Sequence, residues 1–326
     1  MAYSWDDDND LDSGDGGGAY SFHDARKSYD DLSVINKSSS AKALYNFRDP
    51  FLKTDSEYPI IIGIDTTGSM AEWPKIFFDK LPLLYKEAIK YFPGCSISFQ
   101  AINDFYADGE EMALQPAPFG KGAELDELIA NLYPYGGGGG NGGESYEIFA
   151  AYNSFLEAPN AKIKPIAIIL GDEPLFKYVP AEVADFYKLS GGAKKIKTKK
   201  VFDDLRNVCD VFLVRKPYYG FGLDEPVMKN WEDFGGFDRE RILNIQDPKR
   251  VVDAILGIFG VLTNKIDNFE EELTSRQNKN QVSEVLNSLK LLKTNYSVNL
   301  NPPDQKSKTV DISQKSQKTK GLQIDR

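Results

Sequence analysis

The sequence predicts an α/β protein with a mainly parallel, doubly wound sheet, one antiparallel edge strand and helices on both faces. Three observations carry that expectation. From Tyr58 onward, segments of strand character alternate with segments of helical spacing, the pattern of a sheet covered on both sides. PIIIGI (59–64) and PIAIILGDEP (165–174) are continuous apolar runs, as strands buried on both faces require. CSISFQAI (95–102) and EEMALQPAPF (110–119) are separated only by the turn-like NDFYADG, which suits an antiparallel edge pair.

Taken in order, PIIIGI is the first strand and MAEWPKIFFDKLPLLYKEAIKYF (70–92) is helical, with apolar side chains at Ile76, Phe77, Leu81, Leu84, Tyr85 and Ile89. Pro74 suits a first turn, whereas Pro82 should kink the helix. After the edge pair, GAELDELIANLY (122–133) reads as a short helix, YGGGGGNGGE (135–144) as a glycine-rich loop and ESYEIFAAYNSFLEA (144–158) as a helix again. The LGD strand follows. The basic AKKIKTKKVFDDLRNV is expected to be helical and to lead into the strand DVFLVRKP (210–217). An aromatic segment, YYGFGLDEPVMKNWEDFGGF, precedes strand RILNIQ (241–246), helix DPKRVVDAILGIFGVLTN (247–264) and one or two amphipathic helices over 265–293.

The chain has 326 residues, 41% hydrophobic and 12% aromatic, enough for a large core. A net charge of −10 argues against nucleic acid as a partner, because most of the surface would repel a phosphate backbone. The absence of a leader pattern or an 18-residue apolar run leads to the expectation of a cytoplasmic protein with no membrane partner. Residues 1–31 carry nine Asp against Arg26 and Lys27, and residues 304–326 carry six Lys or Arg against three Asp. Those compositions suggest a disordered acidic arm over 1–44 and a disordered basic tail over 296–326, flanking a domain at 45–264 and a helical extension at 265–295. His23 is the only histidine, so a triad with a histidine base, a three-histidine zinc site and an HExxH helix are excluded. Cys95 and Cys209 are too few for a thiolate zinc site.

The polar residues fall where a ligand site would. In open parallel sheets, ligands bind beyond the carboxyl ends of strands where strand order reverses. Asp65, Thr67 and Ser69 follow the first strand, and Asp172 follows the LGD strand; if the two strands are neighbours, one crevice holds all four. A carboxylate and two hydroxyls on alternate residues suit a hard divalent cation such as Mg²⁺.

At these residues the chain resembles the von Willebrand factor A-like (vWA) domains, whose metal-ion-dependent adhesion site has the pattern DxSxS or DxTxS, here Asp65, Thr67 and Ser69. The match covers roughly residues 58–264. It implies a Rossmann-like fold with the metal site on top of the sheet, Thr67 and Ser69 as direct ligands of Mg²⁺ or Mn²⁺, and Asp65 and Asp172 as acidic anchors. Asp104 and GGGNGGES correspond loosely to a further acid and loop of one subgroup. The family's threonine from the loop after the third strand is missing; Asn141, Glu144 and Ser145 are the candidates to replace it. If Glu144 reaches the metal, three carboxylates neutralise most of its charge, whereas Asn141 or Ser145 would leave it electrophilic. In the same placement the cysteines start strands separated by two others, about 14 Å apart and beyond disulfide reach.

Each signal also has a plainer reading. DTTGS alone fits a hydroxyl-rich cap. GGGGGNGG lacks the GK[ST] ending of a phosphate cradle and is better taken as a flexible loop. The lysines of GAKKIKTKK fit a solvated face, Asp104 a surface turn, and the cluster Tyr218, Tyr219, Phe221, Trp231, Phe234 and Phe237 either a satellite core or a recognition loop. The expectation is therefore a non-catalytic, Mg²⁺-dependent protein-binding module or scaffold that takes a partner's Asp or Glu; the resemblance adds AAA+ ATPase systems as a class of partner. The alternatives are a Mg²⁺-dependent phosphohydrolase-like enzyme and a structural protein with a degenerate metal site. The phosphatase motif DxDxT, however, needs an acid where this chain has Thr67.

Overall fold

The computed structural model describes residues 52–295 except 71, 110–112, 131, 133–141, 188, 190–193, 219–221 and 223. The arm over 1–44, the tail over 296–326 and Asn141 lie outside the described residues. The central sheet has six strands: β1 (Pro59–Asp65), β2 (Ser96–Ile102), β3 (Leu114–Pro116), β4 (Ile166–Gly171), β7 (Asp210–Arg215) and β8 (Ile242–Asn244). Their order is β3-β2-β1-β4-β7-β8. All neighbours are parallel except β2 and β3, so the expected doubly wound, Rossmann-like architecture with one antiparallel edge strand is what the chain adopts.

Every residue of β1 is buried, which explains its unbroken apolar run. Ile60, Ile62 and Ile64 face one layer and Ile61 the other. The first layer contains α1 (Trp73–Asp79), α2 (Leu81–Tyr91) and the wholly buried α9 (Val251–Leu262). Lys80 separates α1 from α2, so Pro82 marks a new helix instead of a kink. Apart from the buried Asp253, helix α9 is apolar all round because α10 (Ile266–Arg276) and α11 (Lys279–Asn295) cover its outer side; Phe269, Leu273, Val285, Leu289 and Leu292 join the same core. A Cβ at Gly257 would lie 2.3 Å from Leu289 Cδ1, so glycine permits that close crossing.

The opposite layer holds α5 (Tyr146–Asn153), α6 (Ala181–Phe186), α7 (Thr198–Val208) and α8 (Asp224–Asn230). The remaining helices are the short α3 (Phe105–Asp108) and α4 (Glu124–Ala130). The basic segment departs from its expected helix. Ile196–Lys197 forms β6, paired antiparallel with β5 (Tyr178–Val179), and the helix begins only at Thr198. A β-branched Ile196 opposite Val179 gains a partner in the hairpin that a solvated helical turn would not offer. Trp231 and Phe237 are buried and Phe234 packs against their cluster, so the described part of the aromatic segment is satellite core. Cys95 and Cys209 are buried free thiols at the starts of β2 and β7, with β1 and β4 between those strands. Among the described residues no helix is long and apolar enough to cross a membrane.

Candidate metal centre

Strand β1 pairs with β2 on one side and β4 on the other, and chain connections diverge there, so the crevice above β1 and β4 is the switch point of the sheet. Asp65 ends β1, and its Oδ1 accepts the Thr67 backbone N–H at 2.9 Å and the Thr67 hydroxyl at 2.6 Å. That carboxylate folds the loop back on itself, as aspartates commonly do in turns. Thr66 is held from the other side, its N–H on the Ile102 carbonyl at 2.9 Å and its hydroxyl on Asn103 Oδ1 at 2.6 Å. The 3₁₀ turn Gly68–Met70 then brings Ser69 Oγ to 3.2 Å from Thr67 Oγ1. Ser69 Oγ donates to Asp172 Oδ1 at 2.9 Å across the crevice. Asp65, Thr67, Ser69 and Asp172 therefore meet in one place. Asp65, Thr67 and Asp172 are buried and Ser69 is exposed, so the group opens to solvent through the serine.

A hydroxyl has one proton. With both acids ionised, the Thr67 proton is committed to Asp65 and the Ser69 proton to Asp172. The 3.2 Å contact between the two hydroxyl oxygens is then lone pair against lone pair, an arrangement that a cation would relieve. Among the described residues no group of three or more His, Cys, Asp and Glu side chains is spaced to hold a metal ion. A metal here would depend on the hydroxyls of Thr67 and Ser69 together with Asp65 and Asp172. That donor set fits Mg²⁺ or Mn²⁺ and does not suit a soft metal.

Glu144 is drawn close by backbone pairing: its N–H donates to the Pro174 carbonyl at 3.1 Å and it bridges to Leu175. Its carboxyl is buried, and Oε2 has no hydrogen-bond partner among the described residues. Burial, followed by the charges of Asp65, Asp104 and Glu173, pushes the Glu144 carboxyl up to about 10. Without metal it is a neutral acid at pH 7. Burial and the Asp172 charge raise Asp65 to about 7, against the lowering effect of its hydrogen bonds from Thr67 and Tyr146. Ser145 is turned elsewhere, its hydroxyl accepting the Phe105 N–H at 2.9 Å. Asp104 is fully buried and caps α3 by accepting the Tyr106 N–H at 2.9 Å, so of its two sequence readings, a surface turn or a further acid near the site, the surface turn does not hold.

Two residues that sequence reasoning missed complete the centre. Tyr146, the first residue of α5, is fully buried; its hydroxyl donates to Asp65 Oδ2 and receives the N–H groups of Asp172 at 3.3 Å and Glu173 at 3.4 Å. It ties the two acid-bearing strand ends together. Burial first, then the surrounding acids, pushes its own ionisation well above the ordinary phenol range, so it remains a donor. Lys216 follows β7, donates its backbone N–H to the Gly171 carbonyl at 3.1 Å, and returns its side chain over the crevice. Its ammonium donates to the Ser69 carbonyl and lies 3.4 Å from Asp172 Oδ2.

Fold and site together define an α/β protein with a hydroxyl and carboxylate cluster at its sheet switch point. No protein-family model matches the chain, and no curated protein matches it. Among solved structures it is similar to the open conformation of the pilus adhesin SpaC from Lactobacillus rhamnosus GG, at 12% identity and a TM-score of 0.43 over 68% of this chain and 31% of that one. It is also similar to proximal thread matrix protein 1 from the mussel byssus, at 14% identity and a TM-score of 0.42 over 66% of this chain and 48% of that one. The match thus spans less than half the length of either protein.

Proposed function

We propose that the chain is a vWA-like, non-catalytic module that binds a protein partner through Mg²⁺ or Mn²⁺ held by Thr67, Ser69, Asp65 and Asp172. The observation that carries this reading is the pair of hydroxyl oxygens 3.2 Å apart, each also within hydrogen-bond distance of an acid, Thr67 at 2.6 Å from Asp65 and Ser69 at 2.9 Å from Asp172. A bound divalent cation would supply an electrophilic position for a partner's Asp or Glu. Thr67 and Ser69 orient their lone pairs toward that position, Asp65 and Asp172 anchor the hydroxyls, and Tyr146 holds the acids in register. The same face carries a half-exposed aromatic shelf, Tyr106 edge-on to Phe176 at 4.8 Å, which would supply apolar contact around the carboxylate. Cytoplasmic location and an AAA+ ATPase system as partner belong to the same proposal, and the two free thiols suit a reducing compartment.

Capture from source lysate by the full chain tests it. A partner should be retained in Mg²⁺, lost in EDTA, and lost by the Thr67→Ala, Ser69→Ala double variant with its fold intact. A partner that binds all three equally defeats the proposal. A structural role for the cluster is the second reading, favoured by the lack of a three-acid metal group among the described residues; it predicts that no metal binds at all.

A further inference from the structure

We infer that Lys216 is the built-in counter-cation of the metal-free site, displaced when a divalent ion enters and then free to meet the carboxylate of an acidic partner. This rests on the metal-site reading above. Arg215, one residue earlier, is turned away: it is fully buried and occupied with Asp224 and with Asn244 Oδ1 at 3.2 Å. Lys216 takes the opposite direction, and the Gly171 carbonyl fixes its backbone beside the end of β4. Its ammonium then sits on the Ser69 carbonyl and 3.4 Å from Asp172 Oδ2, while Ser69 Oγ holds the other oxygen of the same carboxylate at 2.9 Å. Asp172 is only 4% exposed in its side chain and Lys216 is 27% exposed, so the anion is fixed and the cation has a way out.

A divalent ion at Thr67 and Ser69 needs the charge of Asp172, and two cations a few ångströms apart in a poorly solvated crevice repel strongly. The mobile partner is the one that must leave: the lysine stem is long and flexible, whereas the acid is held by strand and turn. Once withdrawn, the ammonium stands at the rim of the site. An incoming Asp or Glu meets it beside the metal, which selects acidic side chains over neutral oxygen donors.

The test uses the full chain with Mn²⁺ alone as probe, and reads calorimetric affinity and acylation of lysines by an amine-reactive reagent with mass spectrometry. Lys216→Met should bind Mn²⁺ about tenfold more tightly than the intact chain, which corresponds to roughly 1.4 kcal/mol, and Lys216→Arg should stay near the intact value. Labelling of Lys216 should rise on adding Mn²⁺ while that of exposed Lys194 stays level. Equal Mn²⁺ affinity in the intact chain and Lys216→Met, with unchanged Lys216 labelling, overturns the inference and leaves the metal site standing. Weaker binding in a folded Lys216→Met overturns it too, because the lysine would then be helping the metal. Failure of every variant to bind Mn²⁺ removes both the inference and the metal-site reading.

Discussion

Replacing Tyr146 with phenylalanine deletes one oxygen and keeps the ring, whose packing on Trp231 at a centroid distance of 5.1 Å is retained. The hydroxyl's bond to Asp65 is buried, and it is charge-assisted in the molecules whose Asp65 carboxyl, raised to about 7, is ionised, a class worth roughly 1.5–3 kcal/mol. Its loss also strands the N–H groups of Asp172 and Glu173, which reach the hydroxyl at 3.3 and 3.4 Å. Those long contacts count for less than ideal ones, and Glu173 is partly exposed to water, so the total is about 3 kcal/mol. For a domain of this size that lowers the melting temperature by roughly 6–12 °C. Differential scanning calorimetry in EDTA at neutral pH measures it directly. A melting temperature within about 2 °C of the intact chain would refute the assignment of Tyr146 as the tie between the two strand ends.

Gly171→Ala should be destabilising by about 1–3 kcal/mol in denaturant titrations, because a Cβ there would lie 2.4 Å from the Tyr146 hydroxyl oxygen and 2.6 and 2.7 Å from its ring carbons Cε1 and Cζ; unchanged stability would show that the ring does not cross the strand end. Mg²⁺ at 100 times its dissociation constant should stabilise the native chain by about 2.7 kcal/mol, a rise in melting temperature that Asp65→Ala abolishes; an intact chain that melts unchanged in millimolar Mg²⁺ speaks against the site. Glu147 is fully buried, neither carboxylate oxygen makes a hydrogen bond of good geometry among the described residues, and burial first, with the Asp104 charge, holds its ionisation well above the ordinary carboxylate range, only partly offset by the nearby backbone N–H groups of Glu147 and Phe176. Above the ordinary glutamate range the unfolded chain releases this proton before the folded chain does, so stability falls as pH rises, by at most about 1.4 kcal/mol per unit for this one group. Glu147→Gln should flatten that decline in melting curves taken across pH 5–7 in EDTA, and parallel curves for the two proteins would exclude Glu147 as its source.

The buried strands and the loop that carries the acid and hydroxyls were legible in the sequence because both are written locally, whereas the adjacency of β1 and β4, which joins Asp172 to that loop, is a non-local pairing that the sequence left as a condition. A strand buried on both faces must be apolar throughout, and PIIIGI and PIAIILG are; a loop that folds an acid and two hydroxyls together must space them at alternate positions, and Asp65, Thr67 and Ser69 are so spaced. The β5–β6 hairpin was not legible. A two-residue strand has no period, and the lysines around Ile196 carry the composition of a helix face.

Tyr146 and Lys216 escaped for a different reason. They arrive from sequence separations of 81 and 147 residues, and each looks like something ordinary where it stands: a ring at an apolar position of a helix and a lysine just past the end of a strand. No spacing rule links them to DTTGS. One trace does survive in the sequence. The run that ends at Asp172 has glycine, not another branched residue, at its last strand position, although β4 is otherwise Ile-Ala-Ile-Ile-Leu. Any Cβ at Gly171 would collide with Tyr146. A glycine at the end of a buried strand, immediately before an acid, therefore reports a side chain that crosses the strand end to reach the acid's neighbour; here that side chain is a tyrosine whose hydroxyl joins Asp65 to the backbone of Asp172.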